Sequence, residues 1–123
     1  MVVENNPRAR SAMAAYISLQ TGLRIAAEAS NGLEAISKIK NHPPDIVLMD
    51  MRMPVMDGLE ATRIIKKNWP WIKVIALTMY QNYHSEALSA GVDAFLLKDC
   101  STAELIATVY DLMHTNMVAN SQS

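Results

Sequence analysis

The chain has 123 residues, half of them apolar and 19% charged, which suits one packed domain and excludes a disordered or fibrous segment. No apolar run approaches the ~20 residues that span a bilayer, and residues 1–10 lack the layout of a secretion signal, so a cytoplasmic protein without a membrane partner is expected. Net charge is −1 with lysine and arginine scattered, so the chain by itself carries no basic footprint for DNA.

In chain order, Val2–Val3 reads as the remnant of a first strand, followed by Glu4 and Asn5. Asn6-Pro7 then offers a capping side chain and a proline at the first helical position, where its missing N–H costs nothing. Met13 and Ile17 mark the buried stripe of that helix, and Gly22 its stop. Residues 24–29 are apolar and short, a second strand. Asn31-x-x-Glu34 pairs an N-cap oxygen with a carboxylate three residues on, opening a second helix with Leu33, Ile36 and Ile39 on its core face. His42-Pro43-Pro44 ends it.

Residues 45–49 form a third strand, and Asp57-x-x-Glu60 opens a third helix that stops at Trp69-Pro70. Residues 72–77 and 93–97 read as the fourth and fifth strands, with a helix between them ending at Gly91. Ser101-x-x-Glu104 opens the last helix, with Leu105, Val109 and Leu112 on one face. The domain is expected to occupy residues 1–114. Residues 115–123 turn polar and read as a tail or the start of a linker to an effector domain absent from this chain.

Ile46-Val47-Leu48-Met49 and Val74-Ile75-Ala76-Leu77 are continuously apolar rather than alternating, as strands covered by helices on both faces must be. The alternation therefore predicts an α/β fold: a doubly wound (βα)5 parallel sheet with strand order 2-1-3-4-5 and helices on both faces. In such sheets a site forms at the C-terminal strand ends beside the topological switch point, here between the first and third strands. That rule selects Glu4-Asn5, Asp50, Leu77-Thr78 and Leu97-Lys98.

A carboxylate ending an apolar strand is a nucleophile, a metal ligand or the cap of the next turn. With Glu4, Thr78 and Lys98 converging on it, Asp50 has the company that phosphoryl transfer to a carboxylate requires. A hard divalent cation would offset repulsion between Asp50 and the incoming group. Lys98 would neutralise a second phosphoryl oxygen, and the Thr78 hydroxyl would donate to a third.

Pro44-Asp45-Ile46-Val47-Leu48-Met49-Asp50-Met51-Arg52-Met53-Pro54-Val55-Met56-Asp57-Gly58-Leu59-Glu60 resembles the phosphorylation segment of response regulator receiver domains. Ala90-Gly91-Val92-Asp93-Ala94-Phe95-Leu96-Leu97-Lys98-Asp99 resembles their lysine segment, and Glu28-Ala29-Ser30-Asn31-Gly32-Leu33-Glu34-Ala35 also matches. Leu-Leu-Lys-Asp and Asp-Gly-Leu-Glu-Ala-Thr are similar to receivers of the LuxR/NarL type. The resemblance implies a CheY-like, flavodoxin-like fold and a phospho-acceptor at Asp50, served by a sensor histidine kinase rather than by an enzyme activity of its own. It implies phosphoryl contacts at Thr78 and Lys98, and a switch pair of Thr78 and Phe95. It further implies Mg²⁺ held by Glu4, Asn5, Asp50 and the backbone carbonyl of Arg52, a surface that changes for output or homodimerisation, and transcriptional control through an effector in a longer protein.

One departure bears on the metal. Receivers usually end their first strand with two acids, and here the second is the neutral Asn5, so weak Mg²⁺ binding is expected. Glu4 either compensates by reaching into the site or is a surface carboxylate. The first strand is also short against the ~5–6 residues usual for strands, so the chain start is expected near the core. These two features leave a second reading open, a degenerate receiver that binds proteins without phosphorylation. An aspartyl-phosphate hydrolase wants an acid two residues after the nucleophile, and Arg52 stands there.

Met49, Met51, Met53, Met56 and Met79 are expected to pack adaptably near the site rather than bind a soft metal. His42, His84 and His114 are dispersed and expected in solvent. Cys100 has no partner at metal spacing and reads as structural. Trp69 and Trp71 are expected to anchor the turn at the rim opposite Asp50.

Overall fold

The structure is a computed structural model that describes the backbone of residues 1–122 and the side chains of residues 1–114. Five parallel strands, β1 (Val2–Val3), β2 (Glu28–Ala29), β3 (Ile46–Asp50), β4 (Lys73–Thr78) and β5 (Ala94–Leu97), form one sheet in the order β2-β1-β3-β4-β5. Between them run α1 (Pro7–Ser18), α2 (Gly32–Asn41), α3 (Gly58–Asn68) and α4 (His84–Ala90), the last entered through a 3-10 turn at Gln81–Tyr83. The chain closes with α5 (Thr102–Gln122). The tail expected over 115–123 continues the α5 backbone as far as Gln122, and its side chains lie outside the described residues.

Both faces of the central strands are apolar because both are covered. Val47, Met49, Val74 and Ala76 pack on one side against Ile36 and Ile39 of α2, Ile65 of α3 and Ala87 of α4. Leu48, Ile75 and Leu77 pack on the other against Ile17 of α1 and Leu105 and Val109 of α5. Neighbouring residues of β3 thus serve opposite cores, which is why no polar alternation shows in the sequence.

The helix starts are held by the side chains the sequence singles out. Asn6 Oδ1 accepts from the Arg8 and Ala9 N–H groups, and Asn31, Asp57 and Ser101 each accept from the N–H three residues on. Glu34 reaches back one residue further than a capping box requires, to the Ser30 hydroxyl at 2.7 Å. At the other end of α4, Gly91 adopts φ 103°, the left-handed cap that a side chain would strain.

Four expectations are corrected. The strand expected over 24–29 is paired only at Glu28–Ala29, because β1 pairs with it only through Val2 and Val3. Leu33 belongs to the solvent, 54% exposed, since the apolar stripe of α2 rotates past it to Ala35, Ile36 and Ile39. Met79 is 72% exposed, whereas Met49, Met51 and Met53 are buried. Trp69 packs against the core while Trp71 is exposed, so one tryptophan, not both, anchors the α3 turn. Cys100 is a free thiol packed against the α1/α5 core, and among the described residues no helix is long and apolar enough to cross a membrane.

Candidate functional site

The C-terminal ends of β1, β3, β4 and β5 bring Glu4, Asp50, Thr78 and Lys98 to one edge of the sheet. Parallel pairing sets this register: Val3 lies beside Met49, Asp50 beside Leu77 and Thr78 beside Leu97, so the last residues of β3 and β4 and the residues just after β1 and β5 meet at one pocket. Glu4, Asp50 and Thr78 are buried, at 5%, 7% and 1% exposure, an unusual setting for two carboxyls. Glu4 therefore reaches into the site rather than lying on the surface.

Lys98 binds both acids. Its Nζ lies 2.7 Å from Glu4 Oε1 and 3.0 Å from Asp50 Oδ2. The other Asp50 oxygen, Oδ1, accepts from the Arg52 N–H at 3.2 Å, so the carboxylate is held at both ends. Two carboxylates against one ammonium leave a formal charge of −1 in a partly dry pocket. Burial, and then the adjoining Glu4 carboxyl, push Asp50 up to about 6. Burial opposes ionisation of Glu4 as well, but the hydrogen bond that a protonated Asp50 donates to it, and that from Lys98, hold it below the usual carboxyl range. Lys98 is raised above its ordinary value, because hydrogen bonds to both acids outweigh its burial. At neutral pH all three groups are charged.

Thr78 Oγ1 accepts from the Tyr80 N–H at 3.2 Å, which leaves its own proton to donate. Its carbonyl accepts from the Lys98 N–H at 2.7 Å, tying the β4 and β5 ends together. Phe95 stands on β5 beside Ala76, two residues before Thr78 in the register, half-buried against the α2–α4 core. His84 meets Phe95 edge-on at 5.0 Å between ring centroids. That histidine is exposed, as expected, yet its ring packs on that of Phe95.

Sequence reasoning passed over three contributors. Arg10 on α1 donates to the Glu4 carbonyl at 2.9 Å and pairs with Glu28 at 3.5 Å, fixing the backbone that carries Glu4. The Arg52 guanidinium lies over the Tyr80 ring, 5.2 Å from its centroid, across the mouth of the site. Gly58 approaches the β3 end so closely that a Cβ would lie 2.1 Å from the Asp50 carbonyl oxygen. Only the Asp-Gly dipeptide at a helix start hints at the last of these; the first two need the fold.

The donor set suits a hard divalent cation in kind, since Glu4 and Asp50 offer carboxylate oxygens and Lys98 offsets only one of their two charges. It is lean in number. Asn5 is exposed, and among the described residues no group of three or more histidine, cysteine or acidic side chains could hold a metal.

Comparison with known proteins agrees with this geometry. The model of the response regulator receiver domain family matches residues 1–110. The transcriptional regulatory protein LnrK of Bacillus subtilis is 37% identical over 96% of this chain and 54% of its own length. A DNA-binding response regulator of the LuxR family from Staphylococcus aureus superposes with a TM-score of 0.84 at 35% identity, covering 90% of this chain and 95% of that one. TrrA of Thermotoga maritima, solved in complex with Mg(2+)-BeF, gives a TM-score of 0.83 at 32% identity, with 90% and 95% covered. This chain spans about half the length of the curated relatives it matches. With the family model spanning both the phosphorylation and lysine segments, the chain belongs to the response regulator receiver domain family, of the kind found in LuxR-family regulators.

Proposed function

We propose that Asp50 accepts a phosphoryl group from the phosphohistidine of a sensor kinase. The observation that carries this reading is the Glu4–Lys98–Asp50 cluster at the switch point, with the Thr78 hydroxyl beside it. An Asp50 carboxylate oxygen attacks phosphorus, the phosphorus–nitrogen bond to the donor imidazole breaks, and an acyl phosphate forms while the imidazole leaves. Lys98 already sits within hydrogen-bond reach of Asp50 and meets the negative charge brought by the phosphoryl oxygens. Thr78 donates its hydroxyl proton to another of those oxygens, and that tie draws on the β4 end and the packing around Phe95.

Glu4, Asp50, the Asn5 amide oxygen and the Arg52 carbonyl would hold Mg²⁺, which when bound supplies positive charge between the carboxylates and the phosphoryl group. The relatives supply the wider reading: in a longer, cytoplasmic protein the phosphorylated domain changes a dimer or output surface and so governs a DNA-binding effector. Self-catalysed transfer and loss of the phosphoryl group are the only chemistry the domain performs. The test is addition of beryllofluoride with Mg²⁺, followed by amide NMR. Shifts centred on Asp50, Thr78, Phe95 and Lys98 are expected; an unchanged spectrum at saturating Mg²⁺ favours the phosphorylation-independent binding module instead.

A further inference from the structure

Glu4 and Asn5 sit on the turn between β1 and α1, and Arg10 holds that turn at two points. Its backbone N–H donates to the Asn6 carbonyl at 2.9 Å, and its guanidinium Nη1 donates to the Glu4 carbonyl at 2.9 Å. One residue of α1 thus brackets the peptides from Glu4 to Asn6. The guanidinium is fixed in turn by Glu28 of β2, whose Oε1 lies 3.5 Å from its Nε. β2 lies across β1 from β3, so Arg10 grips the Glu4 backbone from the side away from Asp50.

The ion pair by itself is a weak reason for an arginine here, because Glu28 is exposed and surface pairs of that kind add little to stability. What the double grip fixes is the direction of Glu4. A glutamate has one more side-chain torsion than an aspartate, so more conformations compete with the one that reaches the pocket. In this conformation the Glu4 carboxylate is buried, with Oε1 2.7 Å from Lys98 Nζ and Oε2 3.4 Å from the Asn6 N–H. Both anchors depend on the course of the turn: the Asn6 N–H is part of it, and Lys98 is met only while the Glu4 side chain leaves the backbone inward. Asn5 is neutral and exposed, which leaves Glu4 as the charged donor at this strand end.

We propose that Arg10 is a positioning residue for the cation site, holding the Glu4 backbone so that the longer Glu4 side chain supplies the charge that Asn5 lacks. This rests on the reading that Glu4 and Asp50 hold Mg²⁺. Groups behind a metal ligand set affinity by orienting it. The sign of the effect separates orientation from charge. A guanidinium near the site repels a cation, so by charge alone its removal tightens binding. By orientation, its removal weakens binding.

The test is an NMR titration of the full, unphosphorylated chain with Mg²⁺ at fixed ionic strength, comparing the native protein with Arg10→Met and Arg10→Lys. Arg10→Met is expected to weaken Mg²⁺ binding by roughly tenfold. Arg10→Lys keeps the charge but cannot hold Glu4 and Glu28 at once, and a loss of about threefold is expected. The metal-free thermal midpoint is measured alongside, since a purely structural role lowers the midpoint and leaves affinity, read well below it, unchanged. Mg²⁺ binding as tight as native or tighter in Arg10→Met or, should that variant not fold, in Arg10→Lys would overturn the proposal alone. A native chain without Mg²⁺-dependent shifts would overturn it together with the reading of the cation site. Phosphoryl transfer enters neither measurement.

Discussion

Replacing Asp50 by asparagine removes one of two carboxyls that share a buried pocket, and the variant is expected to be more stable than the native chain near neutral pH. Asparagine keeps an oxygen for the Lys98 ammonium and the Arg52 N–H, while Lys98 retains its ion pair with Glu4. Asp50 is raised from 3.8 to about 6, roughly two units, and each unit corresponds to ~1.4 kcal/mol, so ionised Asp50 costs the fold on the order of 3 kcal/mol. The unfolded carboxyl releases its proton near 3.8 and the folded one near 6. Between those values the folded state holds more protons, so native stability falls as pH rises through the window. Above it the full penalty is present, and below it none is. Because the amide stands in for the neutral acid only approximately, the expected gain is about 1–3 kcal/mol at about pH 7.5, or roughly 5–10 °C in thermal midpoint. Urea denaturation across the window checks this. A variant less stable than the native chain at about pH 7.5, or a difference that does not shrink below about pH 4, would refute the account of the pocket.

Asn5→Asp restores a second acid beside Glu4 and is expected to tighten Mg²⁺ binding by about tenfold or more, read by isothermal titration calorimetry at fixed ionic strength. Gly58→Ala sets a Cβ against the Asp50 carbonyl oxygen and the Met51 backbone, with contacts of 2.1 and 2.7 Å before relaxation. A stability loss of about 3 kcal/mol or more is expected in chemical denaturation, because neither neighbour is a flexible side-chain tip. The Met1 amino group, lowered from 8.0 to about 6, takes up its proton more readily in the unfolded chain. Stability should therefore rise with pH between about 6 and 8 by about 2–3 kcal/mol, and acetylating the amino group should flatten that slope.

The fold was legible because its punctuation is local. Asn6-Pro7, Asn31, Asp57 and Ser101 mark the helix starts by hydrogen bonds that span two or three residues. The continuous apolar runs of β3 and β4 announce a sheet covered twice. Residues 24–27 misled for the opposite reason: their apolar character suits a strand, but a strand also needs a partner, and pairing with β1 lies outside the segment's own sequence. At the site, Asp50, Thr78 and Lys98 followed from strand ends alone. Whether Glu4 points inward depends on Lys98, 94 positions away, and on Arg10 gripping its carbonyl, contacts that no local pattern encodes. Leu33 and Met79 show the same limit in reverse, apolar residues beside core positions that the packing leaves in water.

The central claim is tested most directly by incubating the chain with acetyl phosphate and Mg²⁺ and measuring the intact mass, with peptide mapping of any adduct. One phosphoryl group, located on Asp50 and absent from Asp50→Asn, is the expected result. A chain that gains no phosphoryl group at saturating Mg²⁺, or gains it on another residue, would contradict the account.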